Sequence, residues 1–206
     1  MLRLGLFLGL FADFVAADTA SIVTPAIPDS PVVADSALAR VTREPVSRVY
    51  KALMGESRIT YFIKHPLHVV EGFSTHFECQ VELGADTLQA KVKVKAPVAA
   101  FDSHNSNRDS HTLELLEAFR YPFVEFVSDS VQRDGKGYRV FGLLDFHGVK
   151  KPVDFPVDWW KKDGKVYVEV EFKVTLTAHK VKRPTLMLVP TEDALRIKIH
   201  AVAKES

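Results

Sequence analysis

Over Val166 to Leu176 the chain alternates apolar and polar residues with a period of two: Val166, Val168, Val170, Phe172, Val174 and Leu176 share one parity. Such a pattern fits an extended strand with one buried and one wet face, and it fits no helix. The same rhythm recurs in Phe73, Thr75, Phe77, Cys79, Val81 and Leu83, and again in Leu88, Ala90, Val92, Val94 and Ala96. Val140, Gly142, Leu144 and Phe146 follow it, as do Val153, Phe155, Val157 and Trp159, and finally Leu195, Ile197, Ile199 and Ala201. With Ile59–Ile63, Val124–Val131 and a weaker run from Val49 to Met54, the pattern predicts eight or nine strands. Gly84-Ala85-Asp86, Asp134-Gly135-Lys136-Gly137 and Asp163-Gly164 read as the turns between them.

One segment departs from the rhythm. Leu113, Leu115, Leu116 and Phe119 fall at helical spacing, Asp109 or Ser110 is placed to cap the start, and Pro122 to stop the helix. The expected architecture is therefore all-β, an antiparallel meander with one short inserted helix. One-sided strands pack as a sandwich or close into a barrel. Runs of this length favour an eight-stranded closed sheet, which also leaves no exposed edges and is wide enough for a small ligand.

The pattern occupies only part of the 206 residues. Met1-Leu2-Arg3, an apolar run from Leu4 to Ala12 and the small residues Val15-Ala16-Ala17 predict an export signal over residues 1–17, too short to span a bilayer. Residues 18–46 carry Pro25, Pro28, Pro31 and Pro45 without sustained periodicity and read as a tether. The barrel domain is expected over residues 47–206, in a protein placed in the periplasm or secreted.

Charge narrows the function. Lys and Arg number 27 against 26 Asp and Glu, with no basic run, so there is no electrostatic footprint for nucleic acid. The single Cys79 excludes an internal disulfide or a multi-cysteine metal site, and its apolar parity predicts a buried, inert thiol. No GxSxG elbow, phosphate-binding glycine loop or HExxH spacing is present. His104, Asp109 and His111 are the nearest approach to a metal-assisted hydrolytic site, and no recognised spacing supports them. The reading is of a protein that is not an enzyme and needs no cofactor or metal. A barrel filled by its own side chains, with a structural or stress role, is a further alternative.

The 14 phenylalanines then matter. Phe73, Phe77, Phe126, Phe146, Phe155 and Phe172 are expected to point inward by parity, filling a core or lining a tube for an apolar ligand.

Three stretches carry a family resemblance. Ser57-Arg58-Ile59-Thr60-Tyr61-Phe62-Ile63-Lys64-His65 with Val70-Glu71-Gly72-Phe73, the loop Phe101–His111 leading to Tyr121–Ser128, and Gly142–Val153 with its G-x-L-x-x-x-G-V-x-K-P-V form resemble the YceI-like family in order. The similarity covers about Ser47 to Ala203. It implies a lipocalin-type eight-stranded barrel, exported to the periplasm, whose elongated apolar pocket binds polyisoprenoids or similar amphiphilic lipids without catalysis. By strand parity the resemblance puts Phe73, Phe77, Val92, Val94, Phe101, Leu116, Phe119, Phe126, Phe146, Phe155, Trp159, Val170 and Phe172 along the ligand, with Arg108 and Asp109 at the mouth. The chain has Leu115-Leu116 and then Phe119 where many members have two consecutive aromatics. The implied partner is a long-chain isoprenoid or other amphiphile, with no stable membrane insertion; homodimerisation is left open.

Overall fold

The structure is a computed structural model that describes residues 47–206; the predicted export signal and tether lie outside the described residues. Twelve strands are formed: β1 (Arg48–Ala52), β2 (Arg58–His65), β3 (His68–Ser74), β4 (Glu78–Leu83), β5 (Lys91–Pro97), β6 (Phe123–Asp134), β7 (Gly137–Phe146), β8 (Val149–Lys162), β9 (Lys165–Thr175), β10 (Thr185–Leu186), β11 (Val189–Pro190) and β12 (Ala194–Glu205). Among the described residues a single α-helix, α1 (Ser106–Leu115), lies between β5 and β6. All but the β10–β11 hairpin belong to one antiparallel sheet in the order β1-β4-β5-β6-β7-β8-β9-β12-β2-β3, closed by pairing of β1 with β12.

The ten strands fill eight places around a barrel. β12 pairs with β9 on one side; on the other it pairs with β2 through Leu195–His200 and with β1 through Ala203–Glu205. β1 and β2 are thus one long strand with an interruption, and β3 and β4 continue beside them in the same way. Ser57 makes the first interruption possible. Its buried hydroxyl accepts from the Val202 amide at 3.0 Å and donates to the Val202 carbonyl at 3.2 Å, while the Leu53 amide reaches the same carbonyl at 2.7 Å. The ladder thereby stays satisfied across a five-residue break.

The second interruption reverses a parity. The Ser74 hydroxyl accepts from the His76 amide at 3.1 Å and contacts the His76 carbonyl at 3.2 Å, a local turn that competes with strand pairing. The alternation through Phe73–Leu83 is therefore not one strand. Phe73 faces outward, its ring under the Arg58 guanidinium at 4.2 Å and beside His104 at 5.3 Å, which corrects the inward placement expected from the sequence. β6 carries a comparable device: its register shifts between Ser128 and Ser130, so both Phe126 and Val131 turn inward, and the freed Ser128 hydroxyl accepts from the Val92 amide at 2.7 Å.

The helix also differs from its predicted bounds. Asn105 caps it by accepting from the Arg108 amide at 3.0 Å, and left-handed Glu117 (φ 46°) follows its end, five residues before Pro122. Asp109 is inside the first turn, drawn back to Ser103. Gly84–Ala90 forms a longer connection than the expected tight turn, with a 3₁₀ turn at Thr87–Gln89 capped by Asp86. The β10–β11 hairpin had no counterpart in the alternation.

Replacing Ser57 by alanine leaves the Val202 amide without its partner. The expected loss is about 1–3 kcal/mol, read as a lower midpoint in urea unfolding, and threonine should recover part of it.

Candidate functional site

The barrel encloses a cavity of about 1180 Å³. The barrel strands contribute by parity: Ile59, Tyr61 and Ile63 from β2; Cys79 and Val81 from β4; Val92 and Val94 from β5; Val140 and Leu144 from β7; Val157 from β8; Val166, Val168, Val170, Phe172 and Val174 from β9; Ile197 and Ile199 from β12. Two glycines shape the wall. A Cβ on Gly142 would collide with the Val127 carbonyl and meet the Phe126 ring at 2.7 Å, and one on Gly72 would meet the Tyr61 ring at 2.5 Å. Both aromatic rings thus lie over bare backbone across the strand pair.

Of the residues singled out from the sequence, Val92, Val94, Phe101, Arg108, Leu116, Phe126, Phe146, Phe155, Trp159, Val170 and Phe172 line this cavity. Phe155 stacks on Phe172 with centroids 4.7 Å apart and meets Phe126 at 5.2 Å, forming an aromatic belt. Four do not line it. Phe73 is on the outer face. Phe77 is buried with Ile59 and Ala96 where β3 gives way to β4. Phe119, beyond the helix end, is fully exposed. Asp109 accepts from the Ser103 hydroxyl at 2.6 Å and its amide at 3.2 Å, so it secures the loop.

Around that loop is a polar cluster. The Arg108 guanidinium donates to the Ser103 hydroxyl at 2.8 Å and to its carbonyl, and Arg108 and Tyr61 both reach the cavity. Burial first, then the Asp109 carboxylate, pushes the Tyr61 phenol above its usual pKa, against the opposing influence of Arg108 and Ser103. Tyr61 was detectable from its parity between Ile59 and Ile63.

More polar groups gather at the same end, near the β7–β8 turn and the connection from β9 to β12. The His147 Nδ1–H donates to the His179 carbonyl at 3.1 Å, and the His179 Nδ1–H donates to the Val149 carbonyl at 3.0 Å. That leaves Nε2 of His147 turned away from both carbonyls, 3.6 Å from the Glu117 carboxylate. His147 Nε2 and Thr191 Oγ1 are buried side-chain atoms with no hydrogen-bond partner among the described residues, and both residues line the cavity. Lys180 and Lys182 do so as well. These loop residues carry no periodic signal, and the sequence reading missed them. The cavity is apolar along the strands and polar at one end.

The proposed hydrolytic triad is not assembled. The His104 and His111 side chains are largely exposed, 77% and 82%, while Asp109 is held by Ser103. Among the described residues no group of three or more His, Cys, Asp or Glu is placed to hold a metal ion. Cys79 faces the cavity, half-buried, and desolvation pushes its thiol up to about 11.

A thiol at that pKa is only about one part in a thousand thiolate at pH 8, against roughly a quarter for a free cysteine. Cys79 is expected to react with an aromatic disulfide reagent about a hundredfold more slowly than a free thiol in the folded protein, and at the ordinary rate in urea.

The comparisons with known proteins agree with this geometry. The chain is 35% identical over 65 residues to a UPF0312 protein of Photorhabdus laumondii, covering 31% of this chain and 34% of that protein. Protein YceI of Escherichia coli is matched over the same length at the same identity and coverage. The alignments thus span about a third of the curated relatives. Among solved structures, Burkholderia cenocepacia BcnA superposes with a TM-score of 0.69 at 23% identity, over 74% of this chain and 99% of that one. A polyisoprenoid binding domain from Saccharophagus degradans, implicated in plant cell wall breakdown, superposes with a TM-score of 0.61 at 11% identity, over 76% and 98%. At those identities the likeness is one of fold. The YceI-like domain matches residues 50–203, nearly the whole barrel, and the chain belongs to the YceI-like family.

Proposed function

We propose that the protein binds a long apolar chain, of an isoprenoid or similar amphiphile, inside the barrel, and that it works as a non-catalytic carrier or binding protein after export. The observation that carries this reading is the cavity: about 1180 Å³ enclosed by aliphatic and aromatic side chains, with its polar groups at one end. That exceeds the roughly 300–1,000 Å³ common for small-molecule sites. A barrel filled by its own side chains would leave no such volume. Family membership and the fold shared with a polyisoprenoid binding domain support the same ligand class.

Energetics favour a long ligand. Burial gives about 0.8 kcal/mol per methylene, while association and ordering cost about 4–15 kcal/mol. A short chain barely breaks even, and a chain of some twenty carbons binds firmly. The unpartnered His147 Nε2 and Thr191 Oγ1, with Arg108, Lys180 and Lys182 nearby along the wall, suit a polar terminus such as a hydroxyl, carbonyl or phosphate. Export to the periplasm rests on the N-terminal segment alone: a short positive start, an apolar run and small residues before Asp18.

Protein refolded after delipidation should take up a long-chain isoprenoid at about one equivalent. Val92→Trp, which places an indole in the tube, should lower that uptake at least tenfold while the unfolding midpoint changes little. Refolded protein that takes up no quinone, polyprenyl phosphate or fatty acid would sink the proposal.

A further inference from the structure

Among the described residues, three hairpin turns hold two consecutive residues in the left-handed conformation: His147-Gly148, Asp163-Gly164 and Met187-Leu188. The first two put glycine second, as such turns require. The third, between β10 and β11, has φ of 49° at Met187 and 65° at Leu188, a backbone that crowds Cβ against the next carbonyl. The same residues are 81% and 97% exposed. Neither lines the cavity, so the fold has no use for two large apolar side chains at a strained tip where Asn-Gly would turn more easily.

The tip is not isolated. The His65 Nε2–H donates to the Val189 carbonyl at 3.1 Å and the Leu67 amide donates to His65 Nδ1 at 3.3 Å, which ties the hairpin to the β2–β3 turn. Leu67 and Val69 in and beside that turn are also exposed, as are Leu186 and Val189. The two tied turns therefore form a rim that presents exposed apolar side chains at one end of the barrel. Thr185, Leu186, Lys180 and Lys182 belong to the cavity wall, so this rim borders the cavity.

Its excess charge is positive. Lys180, Lys182 and Arg183 lead into the hairpin, and none forms an ion pair among the described residues. The neighbouring acids are occupied: Glu192 by Lys64 at 2.8 Å, and Asp193 by the Thr177 amide at 2.9 Å and its hydroxyl. Hydrogen bonds from Thr177 first, then the nearby Arg183 charge, hold the Asp193 carboxyl below its usual pKa, so it stays charged and offsets part of the Arg183 charge without pairing with it.

Apolar side chains at a tip with unpaired cations behind it suit insertion into an anionic interface. We propose that the β10–β11 hairpin and the β2–β3 turn dock the barrel on an anionic phospholipid bilayer, Met187 and Leu188 entering the acyl boundary while Lys180, Lys182 and Arg183 meet the headgroups. Docking there would bring the cavity rim to the lipid, and that consequence rests on the function proposed above.

The test compares the full chain with its M187N/L188G variant, so that the N-terminal segment is common to both. Wild-type protein should co-sediment with mixed phosphatidylcholine and phosphatidylglycerol vesicles at least about tenfold better than with phosphatidylcholine alone, the preference disappearing at high salt. The variant should bind the mixed vesicles at least about tenfold more weakly while unfolding at the same or a higher temperature, because the turn is relaxed. It should retain the uptake of isoprenoid, so an empty cavity in both proteins marks failure of the carrier reading alone. Wild-type protein that ignores the vesicles, or a variant that binds them equally well, would overturn the docking proposal. A wild-type dimer that becomes a monomer in the variant, with no vesicle binding by either, would assign the rim to self-association and also overturn it.

Discussion

β12 is the strand on which the barrel closes. It is the only one of the described strands that pairs with three others, β9 along one edge and β2 and β1 in succession along the other. Closure removes the open edges that a ten-stranded antiparallel sheet would otherwise present. It depends on Val202, whose amide and carbonyl are both held by the Ser57 hydroxyl at the point where the facing strand breaks. The break lets one strand bend sharply and continue, which a curved wall of long strands requires.

Closure then determines what the interior is. Alternate residues of every strand must face inward, and the sequence supplies mainly Val, Ile and Phe at those positions, with glycine where a ring crosses the neighbouring strand. Those side chains line the wall and leave about 1180 Å³ between them. An apolar tube disfavours charge, and burial there pushes the Cys79 thiol up. Polar groups accumulate where strands give way to loops, around α1, the β7–β8 turn and the connection to β12. The interior is amphipathic along its length because only its end is built from non-strand residues.

Much of this was legible in the sequence because strand parity is a strong signal wherever one face is buried. β5, β7, β8, β9 and β12 appear at their predicted positions, and eleven of the fifteen residues named beforehand line the cavity. Phe73 faces outward, and Phe77 turns inward to the core but not to the cavity, for a local reason: the Ser74 hydroxyl pairs with the His76 backbone and interrupts an alternation that looks continuous on paper. Phe119 failed because left-handed Glu117 follows the helix end before its apolar spacing runs out. Asp109 was read as a cap or a mouth residue, yet Asn105 caps and Asp109 braces Ser103. His147, Thr191 and the β10–β11 hairpin were invisible, since their placement comes from tertiary hydrogen bonds, not from periodicity. The resemblance to the YceI-like family held because its motifs fall in the strands and loops that form the wall.

The central claim is that the barrel interior is a ligand site and not a filled core. Native mass spectrometry of freshly purified protein tests it most directly. The predicted result is a species heavier than the polypeptide by the mass of one lipid, lost on mild activation and released as a long-chain amphiphile. A spectrum showing only bare polypeptide, unchanged after incubation with long-chain isoprenoids, would contradict the account.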